Sequence, residues 1–379
     1  MLYGKIIDAD GHILEPVDLW QNYLETRFKD RAIRMDTGDD GVEYLVVEDK
    51  PLPITRGIGP TAAGIGQPLR AIFEPGRFGY RDGPAGAYDA QARLQRMDAD
   101  GIDISVLFPT LGLIWEPGIT DVELSSAYCR AYNNWILDFC SADPNRLIPV
   151  AHLVLLDIDA AIKEVKRVAK LGHKGVFVCA APANKRAFWD RAYDPLWAVL
   201  QEYDLSIGFH TAVHEDFLGH QWIAQENTDF MDSSFVYFQC LPLVADVQAA
   251  FAALFQGAVF DRFPSLKVNL LEVGAGWIPH ALDRWDSKYK KIGYKTGLKH
   301  LPSEYFARQC WISFDPDETT IAYMAQRYGA ERFLWASDFP HWDGSLDALG
   351  ETREAIASLA PEAQQCVLGD NVARLYNLA

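Results

Sequence analysis

The chain has 379 residues, of which 49% are hydrophobic and 23% charged, a composition typical of a globular protein and not of a disordered chain. Its net charge is −17, from 52 acidic and 35 basic residues. Such a polyanion repels phosphate, so we expect no nucleic-acid partner and no anionic membrane surface. No apolar run approaches the roughly 18 residues that a membrane-spanning helix needs.

The six cysteines are scattered through the chain without a CxxC pair or other paired spacing. Cysteines in this pattern are typical of reduced, mostly buried side chains in an intracellular protein. The first predicted strand begins at Lys5, which leaves no room for a signal peptide. We therefore expect a cytoplasmic protein.

Short apolar runs alternate with segments of helical periodicity along nearly the whole chain, which is typical of a parallel sheet covered by helices. Eight strand–helix units predict an α/β fold, a closed (β/α)8 TIM barrel, with an open doubly wound sheet as the alternative. The predicted strands are Lys5–Asp10, Asp103–Phe108, Leu147–His152, Lys174–Cys179, Leu205–His210, Lys267–Glu272, Trp311–Asp315 and Phe333–Asp338. The predicted helices are Tyr88–Asp100, Asp121–Ser141, Ile158–Leu171, Asp194–Tyr203, Leu241–Phe260, Trp277–Ile292, Glu318–Tyr328 and Ser345–Leu359.

We expect residues 1–379 to form a single domain. The connection over residues 13–87 is rich in Gly, Pro and charge, with a hairpin-like stretch near Val42–Val47. It is too long for an ordinary loop, so it predicts an insertion that covers the barrel mouth as a lid. The aromatic-rich segment His214–Gln239 is either a second lid or a packing excursion.

Active residues of such a barrel lie at the C-terminal ends of its strands. Strand 1 reads IDADGH, in which Asp8, Asp10 and His12 alternate, so all three are expected to point into the barrel. Inward charges are costly unless they bind something. The alternative for Asp10 and His12 is a turn residue followed by a surface histidine.

Three other predicted strands end on, or run into, residues that can bind a metal. Strand 5 ends at His210, strand 6 at Glu272 and strand 8 at Asp338. With Asp10 and His12, the residues His210 and Asp338 predict a site for a divalent ion such as zinc, manganese, iron or cobalt. The alternatives are a structural histidine at 210 and a helix N-cap at 338.

The remaining polar residues near these strand ends have more than one interpretation. Glu272 is a general base, a metal ligand or half of a buried ion pair. His214 is either a further site residue or a solvated loop histidine, and His341 is either a partner of the site or a loop residue. No Walker loop, Rossmann glycine pattern or nucleophile elbow is present, which disfavours nucleotide cofactors and serine chemistry.

These motifs together resemble the amidohydrolase superfamily. The branch that they resemble most is grouped with aminocarboxymuconate-semialdehyde decarboxylase and γ-resorcylate decarboxylase. The resemblance covers essentially the whole chain, and its segments are Asp10-Gly11-His12, Arg93–Ile104, Gly208-Phe209-His210, Leu266–Trp277, Trp335–His341 and Asn371–Tyr376.

The resemblance implies one divalent ion held by Asp10, His12, His210 and Asp338. In hydrolytic members the strand 8 aspartate, here Asp338, takes a proton from metal-bound water. In the decarboxylases the metal orients a carboxylate, and an acidic group protonates the carbon that loses CO2. A homodimer is usual for such barrels, and pairing with a paralogue is the alternative.

Two departures from the family pattern bear on the reaction. This chain has Glu272 where decarboxylases of the branch carry a histidine at the end of strand 6. Strand 4 offers Val178-Cys179-Ala180 where dinuclear hydrolases have a lysine that becomes carbamylated. Glu272 and His214 could instead hold a second ion, as in a small group of dinuclear non-haem iron or manganese oxygenases that the chain also resembles.

The sequence thus predicts a metal-dependent hydrolase or non-oxidative decarboxylase that acts on a small carboxylated or cyclic molecule, with a dinuclear oxygenase as the alternative. Asp338, Glu272 and His214 are the candidates for proton transfer. Arg56, in the insertion, is either a clamp for a substrate carboxylate or a solvated loop residue. A non-catalytic barrel that pairs with an active paralogue is the third hypothesis.

Overall fold

Eight parallel strands form the centre of the computed structural model, which describes residues 4–213 and 239–378. The described strands are β1 (Ile7–His12), β2 (Arg34–Thr37), β3 (Glu43–Val47), β4 (Lys50–Leu52), β5 (Ile104–Phe108), β6 (Leu147–His152), β7 (Gly175–Cys179), β8 (Ser206–His210), β9 (Lys267–Leu271), β10 (Cys310–Phe314) and β11 (Phe333–Trp335). The parallel strands neighbour one another in the order β1-β5-β6-β7-β8-β9-β10-β11.

The sheet closes between its first and last members. The Asp338 N–H donates to the Asp10 oxygen at 3.1 Å, and the His12 N–H donates to the Phe339 oxygen at 2.7 Å. These bonds join β1 to the segment that follows β11, so the sheet is a barrel with no free edge between them. The predicted (β/α)8 barrel is therefore confirmed, and the open doubly wound sheet is excluded.

Helices connect the barrel strands and cover the outside of the sheet. The described α-helices from residue 90 onward are Ala90–Asp100, Val122–Cys140, Ile158–Leu171, Asp194–Glu202, Val244–Gln256, Val259–Arg262, Ile278–Ile292, Pro302–Gln309, Ile321–Tyr328, Ala348–Ala355, Pro361–Gln365 and Asn371–Leu375. The predicted helix Leu241–Phe260 is divided in two because Ala258 has a φ of 47°. This left-handed conformation cannot continue a right-handed helix.

Barrel strands bury both faces, as parallel strands do when helices cover them. Every residue of β5, β6, β7, β8, β10 and β11 is buried. Their residues are mostly apolar, so the hydrophobic effect stabilises the sheet along its whole length. Buried polar residues in such strands therefore need a specific explanation, and the histidines among them are the last residues of β1, β6 and β8.

The segment between β1 and β5 has its own secondary structure. Its strands β2, β3 and β4 form a three-stranded antiparallel sheet, which contains the hairpin-like stretch seen in the sequence. The α-helices of this segment before residue 88 are short, namely Leu19–Tyr23, Ile58–Ala63 and Leu69–Ile72.

All six cysteines are free. Four of them are buried, and Cys240 is exposed. Across residues 4–213 and 239–378, no helix has both the length and the apolar character that crossing a membrane would require.

Candidate metal centre

Four strand ends bring carboxylates and imidazoles together at the C-terminal mouth of the barrel. Asp10 and His12 belong to β1, and His210 is the last residue of β8. Glu272 follows β9 directly, and Asp338 lies shortly after β11. The Nε2 atom of His12 lies 3.4 Å from Asp10 Oδ1 and 3.5 Å from Asp338 Oδ1. The Nε2 atom of His210 lies 3.6 Å from Asp10 Oδ2 and 3.5 Å from Glu272 Oε2.

Five buried atoms of this cluster have no hydrogen-bond partner, namely Asp10 Oδ1, His12 Nε2, His210 Nε2, Glu272 Oε2 and Asp338 Oδ1. Leaving a buried polar atom without a partner costs about 1–3 kcal/mol, so native proteins rarely group such atoms without a ligand. Two sets of side chains place their ligand atoms within 4.8 Å of one another: Asp10, His12 and His210, and His12, Glu272, Asp338 and His341. The arrangement fits a divalent cation that takes nitrogen and oxygen ligands.

The orientation of the first two histidines is fixed by backbone carbonyls. His12 Nδ1 lies 2.8 Å from the Pro109 oxygen, and His210 Nδ1 lies 2.8 Å from the Thr211 oxygen. A carbonyl only accepts, so each Nδ1 carries a proton, and in the neutral ring each Nε2 directs its lone pair to the centre. Metal-binding histidines have this arrangement, because the outer hydrogen bond fixes the tautomer.

Glu272 and Asp338 both have left-handed backbones, each with a φ of 51°. A non-glycine residue in this region costs on the order of 1–3 kcal/mol, and such residues concentrate at functional sites. The turn that each residue makes at the end of its strand directs the carboxylate to the centre. The two strained residues, Glu272 and Asp338, thus provide two of the five ligand atoms that have no hydrogen-bond partner.

Burial and neighbouring charges shift the pKa of every group in the cluster. Burial tends to raise the pKa of Asp10, but the adjacent His210 and His12 hold it well below its usual range. Burial, with the neighbouring His341, lowers the pKa of His12 to about 4. Burial also tends to lower the pKa of His210, but Asp10 and Glu272 raise it to about 9.

The pKa values of the other two carboxyls shift in the opposite direction from the pKa of Asp10. Burial raises the pKa of Glu272 well above its usual value, and the nearby Asp338 adds to the effect. Burial likewise raises the pKa of Asp338, with further contributions from Asp343, Asp10 and Asp315. Burial therefore favours the protonated form of both carboxyls in the metal-free protein.

The space beside the cluster is apolar on one side and acidic on the other. A cavity of about 500 Å³ is lined by Ile58, Thr61, Ala62, Thr110, Leu113, Ile114, Thr211, Ala212, Val213, Leu243, Glu272, His341, Trp342 and Asp343. A neighbouring cleft contains Asp10, Asp315 and Asp338. Among the described residues, neither space is lined by a lysine or an arginine.

The prediction that Asp8 shares the inward face with Asp10 and His12 is wrong. A β-bulge between Asp8 and Gly11 shifts the register of β1 against β5 and turns Asp8 away from the centre. Its carboxylate accepts hydrogen bonds from Ser105 Oγ at 2.9 Å and from Ser337 Oγ at 2.8 Å. Asp8 thus ties β1 to its two neighbours and is not among the potential metal ligands.

Two other predicted site residues are not brought to the centre by the described structure. The Arg56 guanidinium forms an ion pair with Asp40 inside the insertion, and Arg56 does not line the cavity or the acidic cleft. His214 lies outside the described residues, as does nearly all of the segment His214–Gln239. The function of either residue stays a prediction.

Sequence reasoning left His341 and Thr110 without an assigned function. His341 Nδ1 lies 2.7 Å from Asp338 Oδ1, and its Nε2 lies 3.0 Å from Thr110 Oγ1. The His341 ring also packs on the His12 ring, with 4.2 Å between centroids. A histidine three residues after a predicted ligand was the available signal, but its partner Thr110 is distant in sequence.

The family model for amidohydrolases matches residues 7–378 of this chain. The chain belongs to the amidohydrolase family. The family resemblance of the sequence motifs is thereby confirmed. A γ-resorcylate decarboxylase from Rhizobium sp. is 26% identical to this amidohydrolase over 304 residues, which are 76% of this chain and 86% of that protein.

Solved structures share the amidohydrolase's fold. An amidohydrolase from Mycobacterium avium subsp. paratuberculosis superimposes with a TM-score of 0.81 at 22% identity, over 99% of this chain and 100% of that chain. A 5-carboxyvanillate decarboxylase from Novosphingobium aromaticivorans, solved with bound manganese, gives a TM-score of 0.66 at 16% identity over 99% and 97% of the two chains. Both likenesses support the barrel assignment.

Proposed function

We propose that this amidohydrolase is a metal-dependent carboxy-lyase that removes CO2 from a small carboxylated molecule. The observation that carries the proposal is the convergence of five unpartnered buried ligand atoms at the barrel mouth. Asp10, His12, His210 and Asp338 would hold a divalent ion there. When bound, the ion would supply a positive charge that orients the substrate and stabilises negative charge during the reaction.

Three observations favour decarboxylation over hydrolysis. The relative at 26% identity is a decarboxylase, and a manganese-containing decarboxylase has the same fold. The cavity beside the cluster has an apolar wall that suits an aromatic ring. Because no described lysine or arginine lines it, a substrate carboxylate would have the metal as its cationic partner.

Glu272 is the proton donor that this chain offers for the reaction. Burial raises its pKa, which favours the protonated carboxyl, and its Oε2 atom lies 3.5 Å from His210 Nε2 in the cluster. When the bond to the leaving carboxylate breaks as CO2, its electron pair stays on the substrate carbon and takes up the Glu272 proton. Glu272 would thus replace the histidine that the decarboxylase branch has on this strand.

The insertion between β1 and β5 would cover the site, as the sequence predicts for residues 13–87. Ile58, Thr61 and Ala62 line the cavity. The Trp342 N–H donates to the Thr61 oxygen at 3.0 Å, and the Ile65 N–H donates to the Pro340 oxygen at 3.2 Å. These bonds hold the insertion against the loop after β11, where it would exclude water from the reacting carbon.

The test uses the full-length protein loaded with Mn²⁺ and a panel of carboxylated phenols that includes 2,6-dihydroxybenzoate and 5-carboxyvanillate. We expect CO2 release from at least one compound, with deuterium from ²H₂O at the carbon that lost the carboxylate. Chelation and His210→Ala should abolish release, and Glu272→Gln should lower kcat by 10²-fold or more. Undiminished CO2 release after chelation would contradict the proposal.

A dinuclear oxygenase is the second candidate. It is favoured by the surplus of ligands, since Glu272 and His341 join the set that contains His12 and Asp338. Oxygen consumption with the same panel, without CO2 release, would decide for this candidate and against the carboxy-lyase.

A further inference from the structure

We infer that Glu15 is a positioning residue of the reaction, because it fixes the connection after β5 that orients His12 and forms part of the cavity wall. Glu15 lies in the insertion, three residues beyond His12, and its side chain is fully buried. The inference rests on the proposed metal centre, since it concerns how one proposed ligand and the neighbouring cavity are held in place.

The first argument concerns the Glu15 carboxylate, which accepts hydrogen bonds from three consecutive backbone N–H groups. Its Oε2 atom accepts from the N–H of Thr110 at 3.1 Å and from the N–H of Leu111 at 2.8 Å. Its Oε1 atom accepts from the N–H of Gly112 at 2.9 Å. Successive N–H groups that converge on one anion form a concave backbone turn, so the conformation of residues 110–112 depends on this carboxylate.

The second argument concerns what the connection after β5 provides to the site. Pro109 offers the carbonyl oxygen that lies 2.8 Å from His12 Nδ1 and fixes the ring of that proposed ligand. Thr110, Leu113 and Ile114 line the cavity beside the cluster. A shift of this connection would therefore disturb the outer hydrogen bond of a metal ligand and one wall of the substrate site together.

The third argument concerns the charge of Glu15. Burial raises the pKa of this carboxyl to about 7, although the three N–H groups act to lower it. A buried carboxylate is costly, and an amide of the same shape would be cheaper to bury. An amide has only one acceptor oxygen, however, whereas the three N–H groups bond to both oxygens of Glu15. The charged side chain is therefore the one that can hold all three.

Glu15→Gln tests the inference in the full-length protein, because it keeps the shape of the side chain and removes one acceptor oxygen. After removal of metal with a chelator, Mn²⁺ is added stepwise, and free Mn²⁺ is followed by its electron paramagnetic resonance signal. We expect the dissociation constant for Mn²⁺ to rise by about tenfold or more, as when an outer hydrogen bond to a ligand is lost.

Steady-state kinetics at saturating Mn²⁺ provide the second measurement on Glu15→Gln. KM for the accepted substrate should rise by about tenfold or more, while kcat stays within about threefold of the wild type. This split is expected because the connection shapes the cavity wall and carries no group that transfers a proton in the proposed reaction. A purely structural role for Glu15 would lower the melting temperature without moving either quantity.

Glu48→Gln is the matched control. Glu48 also lies in the insertion, and its Oε1 atom accepts from the N–H groups of Thr120 and Asp121 at 3.1 and 2.9 Å, later in the same connection. Thr120 and Asp121 are among the residues that the structure describes, and neither lines the cavity beside the cluster. Glu48→Gln should therefore keep the Mn²⁺ affinity and the KM of the wild type.

A second variant covers the outcome that Glu15→Gln does not fold. A Cβ atom on Gly112 would lie 2.6 Å from Pro109 Cγ, so Gly112→Ala displaces the same connection and leaves Glu15 intact. We expect Gly112→Ala to weaken Mn²⁺ binding and to raise KM, in the same direction as Glu15→Gln.

The outcomes separate this inference from the proposed function. Wild-type Mn²⁺ affinity and KM in Glu15→Gln or in Gly112→Ala would overturn the inference and leave the metal centre intact. Equal shifts in Glu15→Gln and Glu48→Gln would also overturn it. A wild-type protein that binds Mn²⁺ but releases no CO2 would contradict the proposed carboxy-lyase, and the Mn²⁺ affinity of Glu15→Gln would still decide the inference.

Discussion

The Arg93 guanidinium donates a 2.8 Å hydrogen bond to the backbone oxygen of His12. Arg93 is buried and belongs to the helix Ala90–Asp100 outside the barrel, whereas the imidazole of His12 lies inside the mouth. The Arg93 side chain reaches β1 from the outside at the β-bulge, next to Gly11. It therefore couples the packing of an outer helix to the orientation of a proposed metal ligand.

Gly11→Ala should disturb this coupling. A Cβ atom on Gly11 would lie 2.5 Å from an Arg93 nitrogen, 2.6 Å from Asp8 Oδ2 and 2.6 Å from Ser105 Oγ. All three neighbours are buried and hydrogen-bonded, so they cannot move away cheaply. We expect a loss of about 1–3 kcal/mol in the free energy of unfolding, measured by urea denaturation, and a weaker affinity for Mn²⁺.

Gly276→Ala provides the matched control for that experiment. Its nearest neighbour would be Glu318 Oε1 at 3.3 Å, the end of a side chain. We expect it to cost less than Gly11→Ala. Equal stability of Gly11→Ala and the wild type would show that β1 adjusts without loss and that the Arg93 contact does not restrain it.

Because Glu272 has a left-handed backbone, we expect its replacement by glycine to raise stability while it abolishes activity. Glycine adopts a φ of 51° without a steric penalty, and the substitution also removes a buried carboxyl whose Oε2 atom has no hydrogen-bond partner. In the metal-free protein, Glu272→Gly should raise the free energy of unfolding by about 1 kcal/mol while it abolishes turnover. Thermal denaturation in the presence of a chelator measures the first effect.

Asp49→Gly tests the backbone part of this effect, and it also removes an exposed ion pair with Arg34 that contributes little to stability. Asp49 has a φ of 60° in the exposed turn between β3 and β4, away from any buried carboxylate cluster. The gain from Glu272→Gly should exceed the gain from Asp49→Gly. A Glu272→Gly protein that is less stable than the wild type would mean that the carboxyl stabilises the metal-free site.

The site was predictable from the sequence because each proposed ligand lies near the C-terminal end of a predicted strand. Asp10 and His12 lie in the second half of β1, His210 ends β8 and Asp338 lies just beyond β11, so a parallel barrel must bring them together. Asp8 was mispredicted because strict alternation cannot reveal a bulge. The orientation of His341 depends on its contact with Thr110. The two residues are brought together only when the barrel closes, so no local sequence pattern could reveal the contact.

The pKa shifts predict opposite pH dependences for the metal-free and the loaded protein. Folding raises the pKa of His210 from 6.5 in the free side chain to about 9, because Asp10 and Glu272 lie beside it. The folded state therefore binds more protons in this interval, and the metal-free protein should lose stability as pH rises from 6.5 to 9. Metal binding requires neutral His210, so the affinity for Mn²⁺ should rise over the same interval.

Calorimetric titration with Mn²⁺ in buffers of different ionisation enthalpy measures the protons released. We expect at least one proton per ion at pH 7, from His210 and from the carboxyl of Asp338, whose pKa values are raised. Asp338→Asn has no proton to lose at that position and should release fewer. Binding without proton release would mean that His210 is already neutral and that Asp10 does not hold its charge.

Ala62 tests whether the insertion shapes the substrate site. Its side chain is buried and lines the cavity beside the cluster, but it has no metal-binding atom. Ala62→Leu would fill part of the cavity of about 500 Å³, so KM for the accepted substrate should rise by about tenfold or more. The Mn²⁺ content should stay unchanged, and Ala62→Ser, which adds little volume, should keep KM within about threefold of the wild type. An Ala62→Leu protein with an unchanged KM would place the substrate elsewhere in the mouth, because a bound molecule cannot share the volume that the leucine occupies.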